Sequence, residues 1–257
     1  MLRVPLLSGQ PLFAMAPTPA VPALGLLWCL GFGLLAGLEA VALTVALYGL
    51  EDLYRAIPGT GPVTRPIIGA LCVGLLALGG PQLLGVGYDL IRAILGGRLA
   101  VPAIWRILIW KGAGWLLALA SGTVGGVLAP LFLIAGASGS LLGHALLPWT
   151  GITPRLVALV FMAAVFGAGS RAVLTAAFFA VEVTGDWSAL VPVLAATAVA
   201  TALADRLMPY NIMTGKLVRR GLRVSHDYAA PRAVQGARRR GSAVEEEDRR
   251  GRGAAAR

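Results

Sequence analysis

The chain has 257 residues, of which 57% are hydrophobic and 13% are charged, and its mean hydropathy is +0.78. Soluble domains carry about 25% charged residues, so this composition excludes a soluble protein and indicates an integral membrane protein with several crossings. The apolar runs lack the period-two alternation of a membrane barrel, and we therefore predict an all-α fold.

The formal net charge of +10 is unevenly distributed along the chain. Most Lys and Arg residues follow Ala204, at and beyond the end of the last apolar run. This distribution follows the positive-inside rule and predicts a cytoplasmic C-terminal tail beside an anionic leaflet, not an arm that binds nucleic acid.

The chain begins with a proline-containing lead-in, residues 1–21, which we expect to lie at the membrane surface. The first long apolar run, residues 22–49, contains Glu39. An acid inside an apolar run is a candidate functional site. The alternative is that Glu39 lies near a helix end or faces a water-filled crevice.

Three elements are predicted next. Residues 66–80 form an apolar run that ends in a Gly-Gly-Pro break, and residues 101–120 form another. Between them, residues 83–96 are too short and too charged for a full crossing. Asp89 and Arg92 lie at i and i+3 there, so we expect them to share a helix face and to form an ion pair.

A glycine-rich stretch, residues 121–143, then leads into a buried helix. Gly125 and Gly126 have no side chains to cover their amides, and Pro130 suits the first turn of a helix because it needs no N–H acceptor. Helix N-termini carry unpaired amides and the positive end of the dipole, which attract anions. The alternative is a small-residue surface for helix packing.

Pro148 is expected to end this helix near Leu147. Further apolar runs cover residues 154–169, 172–183 and 189–207. Several are too short to cross a bilayer perpendicular to its plane, which is typical of discontinuous helices in transporters. We predict a helical membrane domain over residues 22–223, with a short last helix at 211–223, and a basic disordered tail over residues 224–257.

Catalytic and metal chemistry is disfavoured. Cys29, Cys72, His144 and His226 are isolated from one another in sequence, so we expect no disulfide and no metal site. The apolar runs contain no paired acids, no Ser/His pair and no H-E-x-x-H motif, and we expect neither an enzyme nor an organic cofactor.

Four stretches, in this order and spacing, resemble the second half of bacterial CLC chloride channels and proton–chloride antiporters. They cover roughly residues 21–221. The family's G-x-G-Y, S-G-x-x-G-G-x-F-x-P, S-R-A-P-L-T…E-M-T-G-D and final-helix patterns are matched at residues 85–89, 121–130, 170–186 and 212–221.

The resemblance implies a fold of short, broken and tilted helices, in which helix N-termini from two inverted halves meet near the midplane. It assigns anion binding to the backbone amides of Val127 and Leu128, with Gly125, Gly126 and Pro130 forming the supporting turn.

Two positions depart from the family pattern. The family's Phe is replaced by Leu128, which keeps the amide and loses the ring. The family's anion-coordinating Tyr aligns with Met213, which cannot donate a hydrogen bond. Tyr210, three residues earlier, is a substitute only if the helix start shifts.

The implied function is chloride transport, as a channel or an antiporter, in a multi-pass inner-membrane homodimer. The family's first half, which carries the gating and proton-transfer glutamates, does not align with this chain, and neither Glu39 nor Glu182 is assigned to those roles. A separately encoded N-terminal half is a further expected partner. The alternative function is a non-conducting scaffold that dimerises with a full-length relative.

Overall fold

The computed structural model describes residues 11–19, 21–219 and 221, and within these ranges every regular element is helical. The prediction of an all-α fold is confirmed. Two single turns of 3-10 helix, Pro81–Leu83 and Trp187–Ala189, accompany the α-helices. The α-helices are α1 (Ala23–Ala56), α2 (Thr64–Gly79), α3 (Tyr88–Leu95), α4 (Val101–Ala120), α5 (Leu128–Thr150), α6 (Pro154–Ser170), α7 (Val173–Thr184), α8 (Leu190–Leu207) and α9 (Gly215–Arg219).

Four segments are long and apolar enough to cross a membrane: α1, α4, α5 and Trp187–Leu207, which includes α8. Helices α2, α6 and α7 are apolar but shorter. The chain divides into two compact units, Met1–Asn211 and Ile212–Arg257. The described part of the second unit consists of a turn and the five-residue helix α9.

Helix α6 is at the centre of the first unit, packed against α5, α8 and α1. Its side chains are buried on all sides over most of its 17 residues. A helix that is apolar all round needs neighbours on every face, and this explains why a segment too short to span alone is stable here.

Glycines set the distance between α5 and α6. A Cβ added at Gly136 would lie 2.0 Å from the Met162 methyl carbon, and one added at Gly139 would lie 2.6 Å from Phe161 Cβ. A Cβ added at Gly143 would likewise lie 2.6 Å from Pro154 Cα. The later glycines of the 121–143 stretch therefore act in helix packing, since small residues let two backbones approach closely.

A break between α6 and α7 is held by Arg171. This residue adopts φ 59° and ψ 33°, the left-handed region that costs a non-glycine residue energy. Its Nε lies 2.5 Å from Asp205 Oδ1 of α8, and Nη2 donates to the Met208 carbonyl at 2.6 Å. These contacts tie the break to the end of α8 and stabilise its unusual backbone.

One expectation was wrong, and one of the two alternatives for Glu39 is excluded. Pro148 does not end α5, which continues to Thr150. The C-cap residue Gly151 has φ 64°, and its N–H donates a hydrogen bond to the Leu147 carbonyl at 3.0 Å. A proline in the last turn removes only one backbone bond, so the left-handed glycine decides the helix end. Glu39 does not lie near a helix end but near the middle of the 34-residue α1.

Two further predictions were tested by the structure. The pair of Asp89 and Arg92 is confirmed, with Nη1 2.9 Å from Oδ1. The first helix extends beyond its predicted apolar run, to Ala56, and Glu51 and Arg55 form an ion pair at 2.5 Å within this extension. The predicted tail, residues 224–257, lies outside the described residues.

Candidate anion site

The N-terminus of α5 has backbone donors that find no acceptor among the residues that the structure describes. The helix begins at Leu128, and its N-cap residue Val127 has φ −93° and ψ −36° with no side-chain cap. Among the described residues, neither the Val127 nor the Leu128 amide donates a hydrogen bond. Pro130 lies in the first turn and has no N–H to satisfy. The two amides named by the sequence resemblance are thus adjacent and uncommitted.

The two glycines before this helix are not packed against any neighbouring residue in the described part of the chain. Gly125 and Gly126 are both exposed, and a Cβ added at either would meet nothing within 4 Å. They differ in this respect from Gly136, Gly139 and Gly143 of the same stretch, which are packed against α6. A small ligand therefore has direct access to the backbone at the start of α5.

The loop that carries these glycines is anchored at its beginning. Gly122 ends α4 with φ 97°. Ser121 Oγ and Thr123 Oγ1 both donate to the Ala118 carbonyl, at 2.7 and 2.5 Å. A Cβ added at Gly69 of α2 would lie 2.4 Å from the Ser121 side chain, so α2 fixes this residue as well. The anchored turn directs the chain into α5.

The electrostatics of the helix start favour negative charge. The first turn of the 23-residue α5 contains no acidic residue. The aligned peptide dipoles place about half a positive charge at a helix N-terminus, and here no carboxylate on the helix neutralises it. Combined with free amides, this arrangement can bind an anion without any charged side chain.

The two residues considered for the family tyrosine lie in different compact units. Tyr210, in the first, packs edge-on against Tyr48 of α1, with ring centroids 5.6 Å apart. It lines a cavity of about 10 Å³ together with Thr44 and Arg171. Met213, in the second, is 47% exposed in the turn before α9.

Lys111 is a buried residue whose hydrogen-bond acceptors could not be predicted from the sequence. It is 5% exposed in α4, and its Nζ donates to the carbonyls of Leu83 and Gly85 at 2.8 and 2.6 Å. It therefore fixes the turn that precedes Tyr88. A lysine inside an apolar run was the available signal, but it did not identify the acceptors.

Glu39 also has a partner that sequence reasoning missed. Ser138 Oγ of α5 lies 2.9 and 2.7 Å from its two carboxylate oxygens. The same hydroxyl is 3.0 Å from the Ala135 carbonyl. This contact links α1 to α5 and satisfies a polar group within an apolar helix. In the described ranges, no cluster of three or more His, Cys, Asp or Glu residues is arranged to hold a metal.

Comparison with known proteins identifies the class. The family model described as voltage gated chloride channel matches residues 1–205, so the chain belongs to this family.

The proteins that are similar to this chain in sequence include proton–chloride exchangers. The chain is 29% identical over 229 residues to the H(+)/Cl(−) exchange transporter ClcA of Vibrio parahaemolyticus, covering 84% of this chain and 48% of that protein. It is 31% identical over 194 residues to a putative chloride channel protein, ClcB-like, of Ralstonia nicotianae, covering 72% and 43%.

Solved structures show the same fold. A slow cyanobacterial Cl−/H+ antiporter aligns with TM-score 0.71 and 23% identity over 82% of this chain and 51% of that one. A CLC-type fluoride/proton antiporter aligns with TM-score 0.64 and 28% identity over 78% and 49%. The chain thus spans about half the length of the relatives that it matches.

Proposed function

We propose that this chain takes part in the transport of chloride or a similar anion across a membrane, as the C-terminal half of a CLC-type permease. Family membership and an alignment with about half of each relative support this assignment. The observation that carries it is the start of α5, where the Val127 and Leu128 amides have no acceptor among the described residues.

In the proposed mechanism, the two amide hydrogens replace part of the hydration shell of a chloride ion. Hydrogen bonds to charged groups contribute about 1.5–3 kcal/mol each, and the dipole of α5 adds to the attraction. Gly125 and Gly126 leave room for the ion to approach the backbone. No covalent bond forms or breaks, so neither a catalytic residue nor a cofactor is required.

We further propose, from the sequence alignment alone, that a chain with Met213 at the family's tyrosine position binds the anion more weakly than a tyrosine-bearing relative. A methionine side chain offers no O–H donor, so the ion loses about 1 kcal/mol of stabilisation. The consequence is a shorter residence of the anion and looser coupling, which makes conduction more channel-like. Tyr210 does not compensate in this proposal, because its ring packs on Tyr48.

The proposed assembly is a homodimer in the inner membrane, with the basic residues after Ala204 on the cytoplasmic side. A separately encoded N-terminal half is the proposed partner for conduction, because the motifs in this chain resemble those of the family's second half. The second candidate function is a non-conducting scaffold that associates with a full-length relative.

Reconstitution tests the proposal. The purified chain is incorporated into chloride-loaded liposomes, and efflux is recorded beside chloride binding by calorimetry. We expect saturable chloride binding by the chain alone, and efflux above that of empty liposomes when the N-terminal half of a CLC protein is incorporated with it. Binding without efflux, together with co-purification of a full-length CLC protein, would favour the scaffold. Absence of both binding and efflux would contradict an anion-binding role.

A proline substitution tests the amides themselves. Val127→Pro deletes one N–H that has no acceptor in the described chain, next to a glycine that tolerates the change. We expect chloride affinity to fall about tenfold to a hundredfold, in line with the loss of one hydrogen bond to a charge. Val124→Pro, in the same loop at a fully exposed residue, is the matched control and should retain wild-type affinity.

A further inference from the structure

A cavity of about 400 Å³ lies beside the C-terminal half of α5, away from the helix start that holds the proposed anion site. It is bounded by the turn after α3, which contains Gly96 and Gly97, and by the start of α6, which contains Arg155. Its remaining lining is mostly apolar, and no acidic residue contributes to it. His144 of α5, which lines it, is about 24 Å along the helix axis from Leu128.

Two arginine side chains lie against the Gly96–Gly97 turn, Arg155 as part of the cavity lining and Arg98 outside it. A Cβ placed on Gly97 would lie 3.4 Å from Arg155 Cδ and 3.9 Å from its Nε, and one placed on Gly96 would lie 3.0 Å from Arg98 Nε. Arg155 is half-buried and Arg98 is exposed. The lack of side chains on these glycines lets the turn accommodate both arginines.

Neither of these arginines has a partner among the described residues. Arg55, Arg92 and Arg171 differ, because each lies within 2.9 Å of a carboxylate oxygen. The local charge is therefore balanced by nothing in the described chain.

Two further features border the cavity. His144 Nδ1 lies 2.8 Å from the Ser140 carbonyl, which can only accept, so Nδ1 is the donor in this hydrogen bond. Thr153 caps the 17-residue α6 without a side-chain hydrogen bond, and the positive end of that helix adjoins the cavity. We call Arg98 and Arg155 the cationic cluster.

We propose that the cationic cluster binds a phosphate-type oxyanion, either the phosphate of an anionic lipid headgroup or free inorganic phosphate. A guanidinium matches two phosphate oxygens with parallel hydrogen bonds, and two guanidiniums match a doubly charged group. Basic pockets between membrane helices are suited to lipid headgroups. The apolar part of the lining, including Ile94, Ile104 and Leu147, can contact the glycerol and the upper acyl chains.

The test compares two ligands on the purified full chain in a neutral detergent. Inorganic phosphate is titrated at constant ionic strength, and phosphatidylglycerol is titrated in mixed micelles, with phosphatidylcholine as the zwitterionic lipid control. Binding is followed by thermal unfolding and by native mass spectrometry. The double variant Arg98→Gln/Arg155→Gln is compared with Arg206→Gln, which changes an exposed arginine at the end of α8.

We expect the double variant to bind at least tenfold more weakly, because each arginine contributes hydrogen bonds to a charged ligand. Arg206→Gln should stay within about twofold of wild type. If the double variant weakens the binding of phosphatidylglycerol only, the ligand is a lipid headgroup. If it weakens the binding of both phosphatidylglycerol and inorganic phosphate, the site is open to free phosphate.

The proposal is overturned if neither ligand binds, or if the double variant binds as wild type does. It is also overturned if Arg206→Gln weakens binding to the same extent. Far-ultraviolet circular dichroism and gel filtration confirm the folded state of each variant, and the single variant Arg155→Gln, which leaves Arg98 in place, provides a milder change with an intermediate loss of affinity.

Discussion

Helices α1 and α8 approach so closely that their backbones touch, which allows a sharp prediction. A Cβ on Gly33 would lie 2.5 Å from the Ala196 carbonyl oxygen and 2.9 Å from Ala196 Cα. One turn further along, a Cβ on Gly37 would lie 2.8 Å from the Ala200 oxygen. Because these obstacles are backbone atoms, a rotamer change cannot relieve them, and Gly33→Ala must push the two helices apart.

The expected magnitude follows from two opposing terms. Overpacking a close contact costs about 1–3 kcal/mol, while replacing glycine by alanine inside a helix gains about 0.5–1 kcal/mol. Gly33→Ala should therefore lower the free energy of unfolding by up to about 2 kcal/mol. Gly31, in the same helix, has nothing within 4 Å of its hypothetical Cβ, so Gly31→Ala should be neutral or stabilising.

The assay is thermal unfolding of both variants in the same detergent, supported by titration with a denaturing detergent. Gly33→Ala is expected to unfold at a lower temperature than wild type, and Gly31→Ala at the same temperature or a higher one. If the two variants are equally stable, the close crossing of α1 and α8 is wrong. A destabilised Gly31→Ala would instead indicate that the exposed face of α1 has a packed neighbour.

Three other changes give further tests. Lys111→Met leaves the two loop carbonyls without their donor and should lower the free energy of unfolding by about 2–4 kcal/mol. An unchanged unfolding midpoint would contradict a stabilising role for these two hydrogen bonds. Arg171→Ala should destabilise more than Asp205→Asn, because only the first also removes the bond to the Met208 carbonyl; equal midpoints would refute this order. Met213→Tyr should raise chloride affinity about fivefold by adding one hydroxyl donor, and unchanged affinity in calorimetry would count against the alignment.

Much of the helix pattern follows from the sequence because the apolar runs have local boundaries. The run predicted at residues 101–120 is α4 itself, and its limits coincide with Pro102 near the start and Gly122 just after the end. The end of α5 was mispredicted because Pro148 is locally a helix breaker, while the actual end depends on a left-handed glycine three residues later.

The partners of buried polar groups could not be predicted in the same way. Glu39 and Ser138 are 99 residues apart, and Lys111 reaches carbonyls 26 and 28 residues earlier. Such contacts depend on how helices pack, which hydrophobic periodicity does not specify. Nor does periodicity distinguish the open Gly125 from the packed Gly139, since both are glycines in one small-residue stretch.

The candidate site itself came from a resemblance, and the structure adds geometry to it. The resemblance named the Val127 and Leu128 amides, and the described chain provides no acceptor for either. That an anion binds there remains a prediction.

Nuclear magnetic resonance of the purified chain, selectively labelled with nitrogen-15 at valine and leucine, tests that prediction most directly. As chloride is titrated, the amide resonances of Val127 and Leu128 should shift with one common saturation curve, while that of Val124 remains nearly constant. Amide resonances of these two residues that do not respond to chloride, in a chain that still binds it, would contradict the proposed site.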